Sequence, residues 1–407
     1  MTEIDYSQMS DAEAKEYFNK NYNIGYVDES LPTPPNEVIF KHYVASALVY
    51  GLALLFFLFN PFYVEYYKKM EYMQEFALYL YLGYLFLAPI FLWTLKPRTV
   101  YVSHSVEVVN YLLKLFKREG LSKGANSVEI LKWIIPTYKQ KQALILFFIK
   151  FFFAPQMCIW AINHFNSTGA KFNELKTFHA AVMAKYTYSQ ILDMPKLLLR
   201  YRDSIFLIAC MAMYFLDVFV YTIGYCTELT VLKNRIRTVE CTGVGLVFCL
   251  LCYPVLNITV SNVLHWSHDE LNFNGIVPSD PLNIIVWICM AIAFFFLIIY
   301  VSASVALFTR ASNLTNRGTV SIFPYNIIRH PAYSAKISMW IMGSITFARH
   351  QIVNGQWGLF VASIIGGIGW AFIYYMRAIT EERHLMHDPD YRAYMKKVKW
   401  KFIPGLW

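Results

Sequence analysis

RHPAY at residues 329–333 and TEERHL at residues 380–385 are two short polar motifs that flank a pair of apolar segments. A chain that crosses a membrane twice returns to the side from which it started, so both motifs are expected at the same membrane edge. The pattern therefore predicts a polar site that is built against lipid, with the rest of the chain as its housing.

The composition of the 407-residue chain is typical of a membrane protein, because 57% of its residues are hydrophobic, 18% are aromatic and only 15% are charged. The net charge is +9, and no basic run is interleaved with aromatic residues that could stack on bases. Membrane lipids with anionic headgroups are therefore the predicted partners of the basic residues, and nucleic acid is excluded as a partner.

The expected fold is an all-α, polytopic membrane helical bundle of about eight transmembrane helices, because apolar segments near the ~20 residues that cross a bilayer recur along the chain. Three of these segments lie at residues 43–63, 76–95 and 143–162. Five more lie at residues 205–226, 243–264, 282–308, 333–348 and 357–379.

The chain divides into three parts by composition. Residues 1–40 form a polar tail, residues 41–199 a membrane extension of about three spans with amphipathic loops, and residues 200–407 a membrane domain of about five spans with a C-terminal lid. Within the extension, residues 99–142 predict an amphipathic helix on the membrane surface, with an apolar face of Val106, Val109, Leu112, Leu113 and Phe116.

Two charged residues, Lys150 and Asp217, fall inside predicted spans. Ionisable residues within a membrane are candidates for function, since they are costly to bury. Lys150 could instead pair with a nearby carboxylate, and Asp217 could accept hydrogen bonds inside the bundle. Both alternatives stay open at the level of sequence.

The cysteines and histidines do not predict a metal site or a disulfide framework. The seven cysteines are odd in number and irregular in spacing, so buried free thiols are expected. His384 and His387 lie three residues apart, as do His265 and His268. Two histidines without further ligands are too few for a zinc site, so no metal is predicted.

The first motif has the features of a helix start that binds an anionic group. Pro331 suits the first helical turn, where its missing N–H has no cost. Free backbone N–H groups and the guanidinium of Arg329 would face the anion. His330 adds a ring donor or acceptor, and Tyr333 adds an aromatic face with a hydroxyl group.

The second motif places the adjacent carboxylates of Glu381 and Glu382 just outside the last span. Adjacent carboxylates repel each other unless a cation or a hydroxyl group neutralises them. Arg377 is four residues before Glu381 and can pair with it on one helix face. Alternatively, Glu382 only ends a solvated helix.

The order of these motifs resembles the isoprenylcysteine carboxyl methyltransferase family. Arg-His-Pro-x-Tyr is followed by Glu-Glu-x-x-Leu, by Asp-Pro-x-Tyr-x-x-Tyr at residues 388–394, and by a Phe-Ile-Pro ending at residues 402–404. The resemblance covers about residues 200–407 and is closest to bacterial and phospholipid methyltransferase-like members. It implies a methyltransferase-like membrane domain in this part of the chain.

The resemblance implies an S-adenosylmethionine-dependent methyltransferase with a cofactor pocket at the membrane edge and a lipid-like or prenylated acceptor. Arg329 and His330 would be catalytic. The cofactor would contact His330, Tyr333, Tyr325, Glu381 and Glu382, and residues 388–407 would fold over it as a lid. The chain departs from the family at residue 323, where a glycine is usual and Phe323 could occupy the space of the cofactor.

Two alternatives remain. The chain could be an inactive methyltransferase-like structural subunit of a larger membrane complex, such as a mitochondrial respiratory assembly, with protein partners bound through residues 1–199. Sterol reductases that use NADPH share the Arg-His-Pro-x-Tyr turn but lack the paired glutamates in this place. The chain is expected to be a multi-pass integral membrane protein of the endoplasmic reticulum, another endomembrane or the mitochondrial inner membrane.

Overall fold

The computed structural model describes residues 31–61, 73–118, 120–121, 124–229, 232, 234–254, 256–264 and 284–406. Within these ranges the chain is nearly all-α, as predicted, and a short antiparallel pair joins β1, Thr238–Val239, to β2, Thr315–Asn316. Most of the predicted polar tail, together with His265 and His268, lies outside the described residues.

The helices are labelled in chain order. The first seven are α1 Asn36–Phe59, α2 Met73–Leu95, α3 His104–Lys117, α4 Ser127–Ile134, α5 Tyr138–Met183, α6 Tyr188–Leu192 and α7 Pro195–Cys226. The last six are α8 Gly243–Leu250, α9 Leu256–Leu264, α10 Ile284–Leu307, α11 Pro331–Val353, α12 Trp357–Leu385 and α13 Pro389–Lys397.

Six of these helices are long and apolar enough to cross a membrane: α1, α2, α5, α7, α10 and α12. Several of them expose large apolar side chains on their outer faces, such as Phe86 on α2 and Ile368 on α12. Water would disfavour such surfaces, whereas lipid tails cover them without cost. Length, composition and exposed apolar surface therefore agree on a multi-pass membrane protein.

The two other predicted spans differ from the expectation. Residues 243–264 do not form one helix, because α8 ends at Leu250 and α9 begins at Leu256. Pro254 lies between them, and proline cannot donate the backbone hydrogen bond that would continue a helix. Residues 333–348 lie inside α11, which is 23 residues long but carries Lys336 near its start and is not among the six.

Helix α5 is much longer than the predicted span at residues 143–162. It has 46 residues, which at 1.5 Å per residue gives a length of ~69 Å. The side chain of Thr137 accepts from the N–H of Gln140 and caps its first turn. Helix α7 packs against α5, so residues 163–183, which follow the predicted span, continue the same helix as one arm of a helical hairpin.

The first turns of α5 and the second polar motif lie at the same end of the bundle. Gln142 of α5 bonds to the backbone of Val239 in β1, and the neighbouring Thr238 contacts the ring of His384 near the end of α12. The tip of the α5–α7 hairpin therefore points away from this end, which carries both motifs.

Both charged residues predicted inside spans have internal partners. Lys150 Nζ lies 2.5 Å from Glu228 Oε2, which confirms the ion-pair alternative. The carboxylate of Asp217 accepts from Tyr300 OH at 2.8 Å and from the hydroxyl of Ser304. These residues stabilise the packing of α5, α7 and α10, since an unpaired charge in this place would be costly.

The surface helix predicted within residues 99–142 is present as α3. Ser103 caps its first turn by accepting from Val106 N. Val108 and Tyr111 are buried against the bundle, while Leu112, Leu113 and Phe116 are exposed. This exposed apolar face is suited to contact with a membrane surface. Lys114 of the same helix donates to Trp133 O at 2.7 Å.

All seven cysteines are free, as predicted. Cys226 and Cys252 are half-buried and the other five are buried. They act as small apolar residues in the packing of the bundle.

Gly224 provides a test of the packing of α7. A Cβ atom at this position would collide with the backbone carbonyl of Ala311, which cannot move without its whole segment. We expect Gly224→Ala to lower the free energy of unfolding by about 1–3 kcal/mol. Gly358→Ala is the matched control, because a Cβ there meets nothing within 4 Å. Thermal melting of the detergent-purified variants measures both, and equal effects would contradict this packing.

His104 provides a test of pH dependence. Burial and then the charge of Arg235 lower the pKa of His104 to about 3. The unfolded chain binds this proton at pH ~6.5, so the free energy of unfolding is constant above that pH and falls by ~1.4 kcal/mol per unit below it.

We therefore expect wild type to lose ~2 kcal/mol between pH 7 and pH 5 through this residue, and His104→Gln to lose correspondingly less. His42, Lys150 and Glu228 also act on His104 but are retained in the variant. Denaturation at both pH values measures the difference, with His179→Gln, at an exposed histidine, as the control. Parallel losses in wild type and His104→Gln would show that His104 is not buried as a neutral ring.

Candidate functional site

The two polar motifs meet at the start of α11 and the end of α12. Arg329 Nε lies 2.7 Å from Glu382 Oε1, although the two residues are 53 positions apart. His330 Nε2 lies 3.1 Å from the same oxygen. The structure thus brings together Arg329, His330 and Glu382, as their motifs predict.

Glu382 is held by a third residue that the sequence did not single out. Lys401 Nζ lies 2.8 Å from Glu382 Oε2, so both carboxylate oxygens are engaged. The Glu382 side chain is only 5% exposed. A buried carboxylate is stable only when cations and donors surround it, and here Arg329 and Lys401 supply that charge. Glu382 is therefore a structural tie between α11, α12 and the C-terminal tail.

The C-terminal tail lies across the first turn of α11. We call residues 398–402 the strap. The guanidinium of Arg329 donates through Nη1 to Val398 O at 2.9 Å and to Lys399 O at 2.7 Å. The backbone N–H groups of Arg329 and His330 donate to Trp400 O and Lys401 O, each at 3.0 Å.

These bonds change the interpretation of the helix start. The N–H groups of Arg329 and His330 donate to strap carbonyls, and the guanidinium expected to bind an external anion donates to strap carbonyls and to Glu382. The anion that Arg329 binds is therefore a carboxylate of the same chain.

Glu381 has a different environment from its neighbour. Its Oε2 accepts from Tyr333 OH at 2.7 Å, while its Oε1 takes no hydrogen bond from the described residues. Its side chain is half-buried. Glu381 is therefore the carboxylate of the pair with capacity left to bind a cation or a hydroxyl group.

Aromatic rings surround this part of the site. The rings of His330 and Tyr333 stack with centroids 5.4 Å apart and an interplanar angle of 6°. Phe402 of the strap packs on His330 at 5.6 Å, and Tyr374 packs on Tyr333 at 5.5 Å. These contacts fix the orientation of the Tyr333 hydroxyl group, which donates a hydrogen bond to Glu381.

The negative charges of Glu381 and Glu382 also act on nearby tyrosines: Glu381 acts on Tyr325, and both act on Tyr391. Burial, and then Glu381, raises the pKa of Tyr325 above its usual range. Burial, then Glu382 and Glu381, raises the pKa of Tyr391 in the same way. Both phenols therefore stay protonated at neutral pH and keep a donor O–H group.

Arg377 does not form the expected pair with Glu381. Among the described residues it donates to Asn313 Oδ1, and its guanidinium lies 5.2 Å from the ring centroid of Tyr333 and 5.5 Å from that of Tyr253. The reason is burial: Arg377 faces the bundle interior, where cation–π and amide contacts replace water. Asn313 was not among the predicted site residues.

Phe323 lies in the loop before α11 and is 55% exposed, so its ring is on the outside of the loop. The backbone of the neighbouring Tyr325 is fixed by Tyr394, whose OH donates to Tyr325 O at 2.7 Å.

The histidines near the site have other roles than a metal pair. The ring of His384 lies 3.2 Å from Thr238 Oγ1, and the ring of His387 lies 2.9 Å from His384 O. No group of three or more potential ligands is placed for a metal ion within the described part of the chain. Asp388, fully buried, accepts from Arg237 and Asn316 and was not predicted as a site residue.

The paired acids can be tested by their effects on stability. We expect Glu382→Ala to lower the free energy of unfolding by about 3–5 kcal/mol, because Arg329 and Lys401 lose their buried counter-charge. Glu381→Ala removes one hydrogen bond with Tyr333, so a loss of about 1 kcal/mol is expected. Thermal melting in detergent measures both, and a smaller loss for Glu382→Ala than for Glu381→Ala would contradict the assignment.

No protein-family model matches this chain, and neither a curated protein nor a solved structure matches it. The motifs and their three-dimensional arrangement are therefore what relates residues 200–407 to any function.

Proposed function

We propose that the chain is an integral membrane methyltransferase that uses S-adenosylmethionine and acts on a lipid-like or prenylated acceptor. The observation that carries the proposal is Glu381, a half-buried carboxylate whose Oε2 accepts from the hydroxyl of Tyr333 and whose Oε1 takes no hydrogen bond from any residue that the structure describes. It lies next to a rigid turn that carries the family motif.

The residues around Glu381 suit the proposed cofactor. S-adenosylmethionine supplies a methyl group on a positively charged sulfur, and a carboxylate with aromatic neighbours is a suitable environment for such a cation. Glu381 would hold the cation, the amine or the ribose hydroxyls. The protonated phenols of Tyr325 and Tyr391 would donate hydrogen bonds at the same place.

The other members of the site have a positioning role in this proposal. Arg329, His330 and Glu382 bind one another and the strap. These contacts fix the positions of Tyr333 and Glu381 relative to each other. Methyl transfer is an in-line displacement, and alignment of donor and acceptor supplies most of what the protein must provide. A site with little freedom of movement meets that requirement.

The proposal also includes about eight membrane segments and a cofactor pocket at the membrane edge. Helix α11 would be embedded as the seventh segment, and α8 with α9 would enter the membrane together as the eighth. A cluster of buried rings supports this arrangement, because Trp340 of α11 and Trp370 of α12 pack with residues of α8 and α9. An apolar acceptor could reach the site from lipid between these helices.

A second candidate is a structural subunit of a larger membrane complex. Two observations favour it: Glu382 is fully neutralised by the chain itself, and the α5–α7 hairpin exposes Phe165 and Phe172 far from the site. In this alternative the site residues only hold the fold together, and the hairpin contacts a partner.

Calorimetry separates the two candidates. We expect the detergent-purified protein to bind S-adenosylmethionine and Glu381→Gln to bind it at least about tenfold more weakly, because a charge-assisted bond is lost. Glu174→Gln, at an exposed residue of the hairpin, is the control and should bind like wild type.

Absence of binding by folded wild-type protein would favour the structural subunit. Unchanged affinity in Glu381→Gln would show that this carboxylate does not contact the cofactor. Melting curves recorded with the same preparations establish that each protein is folded.

A further inference from the structure

An apolar surface lies beside the strap at the end of the bundle that carries the site. It consists of exposed side chains from the loop before α11 and from the C-terminal tail: Ile322, Phe323, Ile327, Trp400, Ile403 and Leu406. The exposed fraction rises to 78% at Leu406. Six large apolar groups on one surface are more than isolated exposure explains.

The loop and the tail form one surface because they are packed together. Tyr394 OH donates to Tyr325 O, which ties the helix before the strap to the loop. Tyr325, Tyr391, Tyr394 and Val398 share a small apolar cluster beneath the surface. Residues 322–327 and 396–406 are therefore called the docking surface.

The docking surface also carries positive charge. Lys396, Lys397 and Lys399 are exposed, whereas Lys401 turns inward to Glu382. Lysines beside tryptophan and aliphatic groups are the combination by which proteins bind the boundary between headgroups and acyl chains. Each exposed lysine near an anionic membrane adds to the attraction.

The position of the docking surface matches that boundary. The tail follows α12, a candidate membrane span, and Phe402 O accepts from Ser334 Oγ in the first turn of α11 at 2.8 Å. The strap therefore lies at the end of α12, where a helix that crosses a membrane would leave the apolar layer.

We propose that residues 322–327 and 396–406 bind the headgroups of anionic phospholipids, and that this binding holds the strap closed over the site. Arg329 and His330 donate hydrogen bonds to the carbonyl groups of the strap. A tail that is bound to the membrane would stabilise these hydrogen bonds. The inference does not depend on methyl transfer, because the strap has these contacts whether the site binds a cofactor or not.

Hydrogen exchange tests the proposal in lipid nanodiscs. The amides of Arg329 and His330, which donate to the strap, should exchange roughly tenfold or more slowly in discs of phosphatidylcholine with phosphatidylglycerol than in phosphatidylcholine alone. The triple variant Lys396→Gln, Lys397→Gln, Lys399→Gln should lose this difference. High salt should reduce it in wild type, since screening weakens surface electrostatics.

The control is Lys171→Gln, Lys176→Gln, Lys185→Gln, three lysines of the hairpin region at the other end of the bundle, which should keep the difference. Equal exchange in both kinds of disc would overturn the proposal. So would a difference in exchange that survives in the triple variant of Lys396, Lys397 and Lys399. The same protection from inorganic phosphate added to phosphatidylcholine discs would assign the site to free phosphate and also overturn it. Trp400 is one of ten tryptophans, so the difference in quenching by brominated lipid between wild type and Trp400→Phe gives a second readout of contact between the tail and the membrane.

Discussion

A buried carboxylate must be neutralised, and Glu382 meets that requirement with residues from three separate segments. Arg329 comes from the turn before α11, Lys401 comes from the tail, and Glu382 itself ends α12. Because an unpaired charge in this place costs several kcal/mol, the three segments are fixed relative to one another. Glu228 with Lys150 applies the same constraint to α5 and the loop after α7.

The meeting of the two motifs could be predicted because two consecutive long helices, α11 and α12, return the chain to the end of the bundle from which it started. The different roles of Glu381 and Glu382 could not, since neighbours on a helix point ~100° apart and only the packed bundle shows which direction is inward. Hydropathy likewise marked residues 243–264 as apolar without showing the break at Pro254. It marked the lipid-facing part of α5 but not its continuation, because a helix does not end where lipid ends.

Glu382 and Glu381 have different roles: Glu382 stabilises the fold, and Glu381 is the residue proposed to bind a ligand. Both oxygens of Glu382 are engaged within the chain, whereas Glu381 accepts from Tyr333 through Oε2 and takes no hydrogen bond at Oε1 from the described part of the chain. Phe323 is exposed on the outer surface of its loop. A binding site keeps its geometry when residues with satisfied hydrogen bonds surround the group that binds the ligand.

The α5–α7 hairpin has a practical consequence for imaging. Small membrane proteins are hard to align in micrographs, because the detergent or lipid belt hides the features that define their orientation. Helix α5 is ~69 Å long, more than the ~45 Å of a whole bilayer, so a two-helix projection would extend outside that belt while continuous with the core through α5. An antibody fragment bound to its tip would therefore serve as a fiducial that reports the tilt and rotation of the entire bundle.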